Sequence, residues 1–345
     1  MPASAVITGP VAIGIDIGGT KIAGALVMSE PSGGVRLEST LKVPTPTTTD
    51  AFVEALKLLV RDLMQVASQE FNVRVQAIGV ATAGTVNSDE GVIMGSTGNL
   101  PAIKPPFAIG ALLKSAFGIP VHVENDANAA AYGEYHLARL SRPHLKQMLM
   151  ITLGTGVGTG LIIDRKMYRG AHFCAGEGGH IAIGMNQQRL CTSGRYDTWE
   201  SYASGTGLLI TAKAMAAQCN DPDTLKALIA PESGETADPE TLTNRRLMAA
   251  VSEGNPLAIQ ILESWHDHVA LGLVSILNVL DPELTIIGGG LGPFVDLDKL
   301  AKRIRQRLMA PTDTLQLVMA QLGNTAGLVG ASKLALEADD ALVKA

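Results

Sequence analysis

Val11-Ala-Ile-Gly-Ile-Asp-Ile-Gly-Gly-Thr-Lys-Ile-Ala-Gly-Ala-Leu-Val27 reads as two apolar runs facing each other across the turn Gly18-Gly19-Thr20-Lys21. One acid, Asp16, stands at the end of the first run, beside a turn rich in backbone amides. Free N–H groups together with threonine hydroxyls hold phosphate oxygens. A carboxylate in that place repels phosphate unless a divalent cation lies between them, so the pair implies Mg²⁺ joined to Asp16 through water.

The chain uses this design twice. Met148-Leu-Met-Ile-Thr-Leu-Gly-Thr-Gly-Val-Gly-Thr-Gly-Leu-Ile-Ile-Asp164 is again strand, Gly/Thr turn, strand. For a single glycine turn, the positive φ that a hairpin requires is explanation enough. Two turns of matching design point instead to phosphate, to a duplicated domain, and to a ligand in a cleft that both turns face. A third glycine turn, Leu284-Thr-Ile-Ile-Gly-Gly-Gly-Leu-Gly292, closes a strand after the long helical pattern Pro256 to Leu280. The turns are no Walker A motif, because G-x-x-x-x-G-K occurs nowhere, and no Rossmann fingerprint, because a strand follows each hairpin turn.

Working outward, residues 11 to 46 alternate short β-type runs with turns, and Asp50 is placed to cap the next helix. In Ala51 to Glu70, Phe52, Leu56, Leu59, Leu63 and Val66 recur at helical spacing. A strand Val75 to Ala81, a helix around Ile109 to Phe117 and a strand Val121 to Glu124 follow, which makes the chain α/β. Cys219 to Asn244 reads as a polar helical insertion without chemistry. With 345 residues, 46% hydrophobic and 17% charged, the chain can bury a large core and favours two domains. It has no apolar run of the roughly 18 residues a membrane helix needs, and no Lys or Arg precedes Lys21. The expected compartment is therefore the cytoplasm. The three cysteines have no framework spacing, which fits a reducing compartment. A net charge of -6 gives no footprint for nucleic acid, so the expected ligand is a small molecule.

These residues resemble the ROK group of sugar kinases and related repressors, of the actin-like, hexokinase-like ATPase fold, over nearly the whole chain. Gly14-Ile-Asp-Ile-Gly-Gly-Thr-Lys21 resembles the first phosphate motif of that family, Leu153-Gly-Thr-Gly-Val-Gly158 the second, and Asp281-Pro-Glu-Leu-Thr-Ile-Ile-Gly-Gly-Gly290 the adenosine-side loop. The resemblance implies a two-domain α/β fold of the ribonuclease H-like type with a central interdomain cleft. Its small domain would be residues 1–130, completed by a C-terminal helix 327–345, and its large domain 131–326. ATP and Mg²⁺ would be held by Asp16, Gly18, Gly19, Thr20, Lys21, Gly154, Thr155, Gly156, Gly288 and Gly289. Val123-Glu-Asn-Asp-Ala-Asn128 resembles the segment carrying the catalytic base, which assigns to Asp126 the proton of the attacking hydroxyl. Its bland alternative is a cap for the helix that starts with Ala127. Gly176-Glu-Gly-Gly-His180 and Glu200 resemble the sugar-contacting set, giving Glu177, His180 and Glu200, joined by Asn99 and Asn125. Structural alternatives stay open: His180 as a satisfied buried histidine, Glu200 as a helix N-terminal acid, Asn99 as a plain loop residue.

The expected activity is that of an ATP-dependent hexose kinase, first glucose at O6, with N-acetylmannosamine, N-acetylglucosamine, fructose or allose as alternatives. Polyphosphate-using relatives share the motifs, so the donor is open. Family repressors carry a DNA-binding domain ahead of the first phosphate motif, whereas fifteen residues precede Asp16 here. The expectation is an enzyme with neither nucleic-acid nor membrane partner. A filament-forming or chaperone-like ATPase would leave Glu177, His180 and Glu200 without a use. A homodimer is expected, with the helix from Trp265 to Leu280 as a candidate surface.

One departure from the family stands out. Many relatives hold the loop before the sugar-binding Glu with a structural zinc on one His and three Cys; the matching positions here are His180, Cys191, Ser193 and Thr198. Structural zinc needs four good ligands, and neutral hydroxyls replace thiolates poorly. Cys174 and Asp197 stand at no family ligand position. The expectation is a zinc-free loop held by packing of Tyr196 and Trp199 and by a pair between Arg195 and a carboxylate.

Overall fold

The computed structural model describes residues 9–95, 98–229, 241–309, 311 and 314–344. The chain divides into two compact units. The first comprises Met1–Leu149, Gly160–Gly176 and Gln321–Ala345; the second comprises Met150–Thr159 and Glu177–Ala320.

The first sheet has the strands β1 (Val11–Ile17), β2 (Lys21–Ser29), β3 (Val35–Pro44), β4 (Ala77–Thr82) and, past the small hairpin β5 (Thr85–Asn87) and β6 (Val92–Gly95), β7 (Val121–Asn125), in the order β3-β2-β1-β4-β7. β1 runs antiparallel to β2 but parallel to β4, which is parallel to β7. Three parallel strands thus end at one edge. Asp16 pairs with Ala81, Ala81 with Glu124, and Thr82 with Asn125. That register brings Asp16 and the start of the helix Asp126–Ser141 to the carboxyl ends of the strands, where open α/β sheets bind ligands.

The second sheet has β8 (Met148–Leu153), β9 (Val157–Ile163), β10 (Lys166–Met167), β11 (Leu284–Gly288) and β12 (Leu317–Met319), in the order β10-β9-β8-β11-β12. Counted within each sheet, both read third-second-first-fourth-fifth, and β11 is parallel to β12 as β4 is to β7. The repeat seen in the two glycine hairpins therefore extends to whole sheets.

β1 is buried almost throughout because helices cover both faces of its sheet. On one face, Ile13, Ile15 and Ile17 share a core with Phe52, Leu56, Leu59 and Leu63 of the helix Thr49–Glu70. Asp50 lies in the first turn of this helix and Thr48 at its N-cap, a correction to the capping expectation; an acid in the first turn still opposes the helix dipole favourably. The other face is lined with small residues, Ala12, Ala77, Ala23, Ala25 and Ala81, and the C-terminal helix Ala326–Lys344 lies on it through Leu328, Ala331 and Ala335. The approach is close enough that a Cβ on Gly79 would fall 2.1 Å from the Ala331 backbone, and one on Gly330 would fall 1.7 Å from the carbonyl of Ala129. Gly330→Ala is expected to destabilise the protein by about 3 kcal/mol, since it forces apart two backbones that cannot yield locally. Urea unfolding would measure it, and a loss below about 1 kcal/mol would contradict the close packing.

The helix Pro256–Leu280 begins behind Asn255, whose side chain accepts the N–H of Ala258. It buries Trp265, Val269, Leu273 and Leu277, while Val279 is exposed. Trp199 is fully buried against it: a Cβ on Gly272 would lie 2.2 Å from the indole. The polar stretch Cys219 to Asn244 holds the helix Pro222–Ile229, and its residues 230–240 lie outside the described ones.

Candidate active site

In the first unit the chain passes from β7 into the helix Asp126–Ser141 through Asn125. Asn125 Oδ1 accepts the N–H groups of Ala127 (2.9 Å) and Asn128 (3.1 Å), and its amide donates to the carbonyl of Gly84 (3.1 Å). The helix cap is thus Asn125, so Asp126 is not needed for capping. Its carboxylate accepts the neighbouring Ala127 N–H (2.9 Å), and the residue as a whole is exposed. Loss of water around it raises its pKa, against the opposing pull of the Ala127 and Asp126 backbone N–H groups. Asp16 is pushed up to about 6, first by burial and then by the charge of Asp126, with Lys21 opposing. Two neighbouring carboxylates that repel one another suit a hard cation.

The first turn is closed by Gly18 N–H on the carbonyl of Lys21 (3.0 Å). Thr45 ties it down from β3's end, donating its hydroxyl to the Gly18 carbonyl (2.6 Å) and its N–H to that of Thr20 (3.1 Å). Gly19, Thr20 and Lys21 remain exposed. A Cβ on Gly19 would stand 3.0 Å from Asn99, so that exposed residue adjoins the turn.

In the second unit the turn Gly154-Thr155-Gly156 closes through Gly154 N–H on the Gly156 carbonyl (3.0 Å) and receives Gly205 N–H on the Gly154 carbonyl (2.7 Å). It borders a cavity of about 320 Å³ lined by Gly154, Thr155, Gly205, Thr206, Leu209, Asn244, Gly290 and Leu291. Gly288 and Gly289 do not line it. Gly289, at φ 87°, lets its loop press on Leu153, whose carbonyl would be 2.4 Å from an added Cβ, and Leu291 N–H bonds that same carbonyl (2.8 Å). Asn244 donates its amide to Gly205 (3.2 Å), and its Oδ1 is buried without a partner among the described residues.

The remaining expected residues are also in the second unit. Glu177 is exposed, 3.8 Å from His180 Nε2, while His180 Nδ1 is buried and has no partner among the described residues. Glu200 opens the short helix Glu200–Ala203; its carboxylate accepts Val157 N–H (3.0 Å), the Cys191 thiol (3.1 Å) and the Thr192 hydroxyl (3.4 Å).

The model of the ROK family matches residues 12–338. The chain belongs to the ROK family. It is 36% identical over 331 residues to the glucokinase of Streptomyces coelicolor, covering 95% of this chain and 98% of that one. It is 30% identical over 328 residues to the N-acetylmannosamine kinase of Salmonella typhi, covering 94% and 97%. Among solved structures it is similar to a ROK family glucokinase from Streptomyces griseus in complex with glucose and AMPPNP, with a TM-score of 0.74 at 33% identity, covering 95% of this chain and 99% of that one. The fold is the two-domain actin-like ATPase fold of the ROK sugar kinases.

Within this ROK chain the loop ahead of Glu200 is held by a network that its motifs did not announce. Asp197, buried and at φ 53°, accepts the N–H groups of Gln188 (3.1 Å) and Arg189 (2.9 Å) and the hydroxyl of Tyr202 (2.8 Å). The Arg189 guanidinium lies 4.2 Å over the Tyr202 ring, a cation–π contact. Trp199 packs as expected and donates its indole N–H to the carbonyl of His268 (3.0 Å). Tyr196, however, is 48% exposed, and Arg189 rather than Arg195 is the arginine in the network. The Cys191 thiol is turned to Glu200, Ser193 is exposed, and Cys174 donates to the carbonyl of His172. Among the described residues no group of three or more His, Cys, Asp or Glu could hold a metal ion.

Sequence reasoning also passed over Glu124 and Arg169. Glu124 is 1% exposed and takes Arg169 at 2.6 and 2.8 Å. The signal for Glu124 was its place as an acid inside an otherwise buried strand; Arg169 carried none.

Proposed function

We propose that this ATP-dependent sugar kinase takes glucose and phosphorylates it at O6. The observation that carries the reading is Asp126, an accessible carboxylate that is not the helix cap and whose raised pKa makes it a better proton acceptor than an ordinary aspartate. MgATP supplies the transferred phosphoryl group and the cation that offsets its charge. Asp126 takes the proton of the attacking hydroxyl as that oxygen bonds to the γ-phosphorus and the bond from that phosphorus to the oxygen of ADP breaks. Asn99, Asn125, Glu177, His180 and Glu200 orient the sugar ring. Gly18, Gly19, Thr20, Lys21, Gly154, Thr155 and Gly156 receive the phosphates, and Gly288 and Gly289 shape the nucleoside side. Asp16 holds Mg²⁺ through water, and the likeness to glucokinases favours glucose over N-acetylmannosamine.

The reading includes a small domain 1–130 completed by the last helix, a large domain 131–326, a zinc-free loop, a cytoplasmic homodimer and no nucleic-acid or membrane partner; no helix among the described residues is long and apolar enough to cross a membrane. The test is a panel of hexoses, N-acetylmannosamine and N-acetylglucosamine included, against ATP and polyphosphate, with ADP or sugar phosphate as readout. A higher kcat/KM for an N-acetylhexosamine than for glucose would replace the substrate, and no turnover with any sugar would overturn the reading. Asp16→Asn is expected to raise the Mg²⁺ concentration for half-maximal activity by about 10-fold or more, the usual effect of losing an outer-shell carboxylate. An unchanged Mg²⁺ titration would remove Asp16 from that role.

A further inference from the structure

Glu200 touches more than a sugar would require. Its Oε2 accepts the N–H of Val157, the first residue after the Gly154-Thr155-Gly156 turn, at 3.0 Å, and its Oε1 accepts the Cys191 thiol at 3.1 Å and the Thr192 hydroxyl at 3.4 Å. All three partners are donors, which keeps the carboxylate an acceptor and fixes its plane. Gly156 makes room for this contact. Its φ lies outside the left-handed region, so its backbone tolerates a side chain, yet a Cβ there would sit 2.4 Å from Glu200 Oε2. The glycine is thus explained by the carboxylate beside it and not by the turn.

We infer that Glu200 is a strut through which the second phosphate turn and the sugar-holding carboxylate are coupled, so that nucleotide and sugar each strengthen the binding of the other. The inference rests on the proposed role of Glu200 toward sugar. Phosphate on the amides of the turn would hold the turn, the held turn would fix Val157 N–H, and the fixed N–H would hold Glu200 in one orientation before sugar arrives. A carboxylate already ordered loses less freedom on binding. The coupling is reciprocal by linkage. Cys191 is then a positioning residue, acting on the sugar through Glu200.

Calorimetric titration of glucose, with and without AMPPNP and Mg²⁺, tests the strut. In the wild type AMPPNP is expected to tighten glucose about 5-fold or more. In Gly156→Ala that tightening disappears, and glucose binds about 10-fold more weakly even without nucleotide, because the new methyl displaces a charged acceptor from its bonds. Cys191→Ala weakens glucose and the coupling in the same direction, and Cys191→Ser, which keeps a donor, restores both. Glu200→Gln separates the two levels. If Glu200→Gln leaves glucose binding unchanged, or the wild type does not bind glucose, the reading of the site is wrong. If Glu200→Gln weakens glucose but AMPPNP tightens it equally in the wild type and Gly156→Ala, the strut is wrong and the site stands. Should Gly156→Ala fail to fold, the Cys191 pair decides: equal coupling in Cys191→Ala and wild type overturns the strut.

Discussion

Asp126→Asn is expected to lower turnover with glucose and MgATP by about 10²- to 10⁴-fold while changing the dissociation constant for glucose by less than about 3-fold. The asparagine keeps the shape and the Ala127 N–H contact but cannot take a proton. Asn125 carries the cap through its bonds to Ala127 and Asn128, so the substitution leaves the start of the helix intact and isolates the chemistry. The raised pKa of Asp126 sets the sign of the pH dependence. Turnover of the wild type should rise as pH increases through that raised value, because the base works only when ionised. The residual rate of Asp126→Asn should lack this limb. Single-turnover kinetics from pH 5 to 8 would check both, and near-normal turnover in the variant would remove Asp126 from the base role. A loss confined to KM would instead make Asp126 a binding group.

The parts of the molecule that were legible in the sequence are those decided locally. A hairpin announces itself by a glycine turn between apolar runs, and its repetition announces a duplicated unit, whose common strand order only the structure shows. The helix Ile109–Phe117 and the long helix Pro256–Leu280 follow from periodicity alone. What escaped depends on approach between distant segments. The loop was expected to be held by a pair between Arg195 and a carboxylate; instead the bridge Leu190–Tyr196 folds it back so that Arg189 lies over the Tyr202 ring and gives its backbone N–H to Asp197. Gly330 is one small residue among many in its helix until the carbonyl of Ala129 is seen against it. Asn244, polar and unremarked in a polar stretch, turns out to line the cavity beside the second glycine turn. Motif spacing identifies residues that face a ligand; it is silent about the buried charges behind them.

The second large effect concerns such a charge. Glu124 is buried, and its acceptor sites are filled. Oε2 takes Arg169 Nε and Nη2 at 2.8 and 2.6 Å, with His122 at 3.4 Å, while Oε1 takes the Ser88 hydroxyl, the Asn125 N–H and the Asn128 amide at 3.1–3.2 Å. Two of those donors flank Asp126, so the buried ion pair also fixes the backbone from which the proposed base projects. Burial pushes the Glu124 pKa up, but the bonds and charges of His122 and Arg169 more than reverse it, leaving it below its ordinary value. A folded-state pKa below the unfolded one means stability that is present above the unfolded value and lost as pH falls through the folded one. Arg169→Ala removes the main counter-charge and leaves burial in command, so a buried carboxylate stands without its arginine, with the His122 ring beside it. The expected loss is about 3–5 kcal/mol at pH 7, as for other buried pairs broken from one side. The loss should shrink as pH falls toward 4.5, since protonation of Glu124 then relieves the variant while the wild type still holds its pair ionised. Adding Glu124→Gln to Arg169→Ala should recover part of the stability at pH 7 for the same reason. Urea unfolding of the three proteins at pH 7 and 5 is the measurement. A loss below about 1 kcal/mol, the range of an exposed pair, would mean that water reaches Glu124; a loss independent of pH would mean that Arg169 stabilises through packing of its stem and not through the charge.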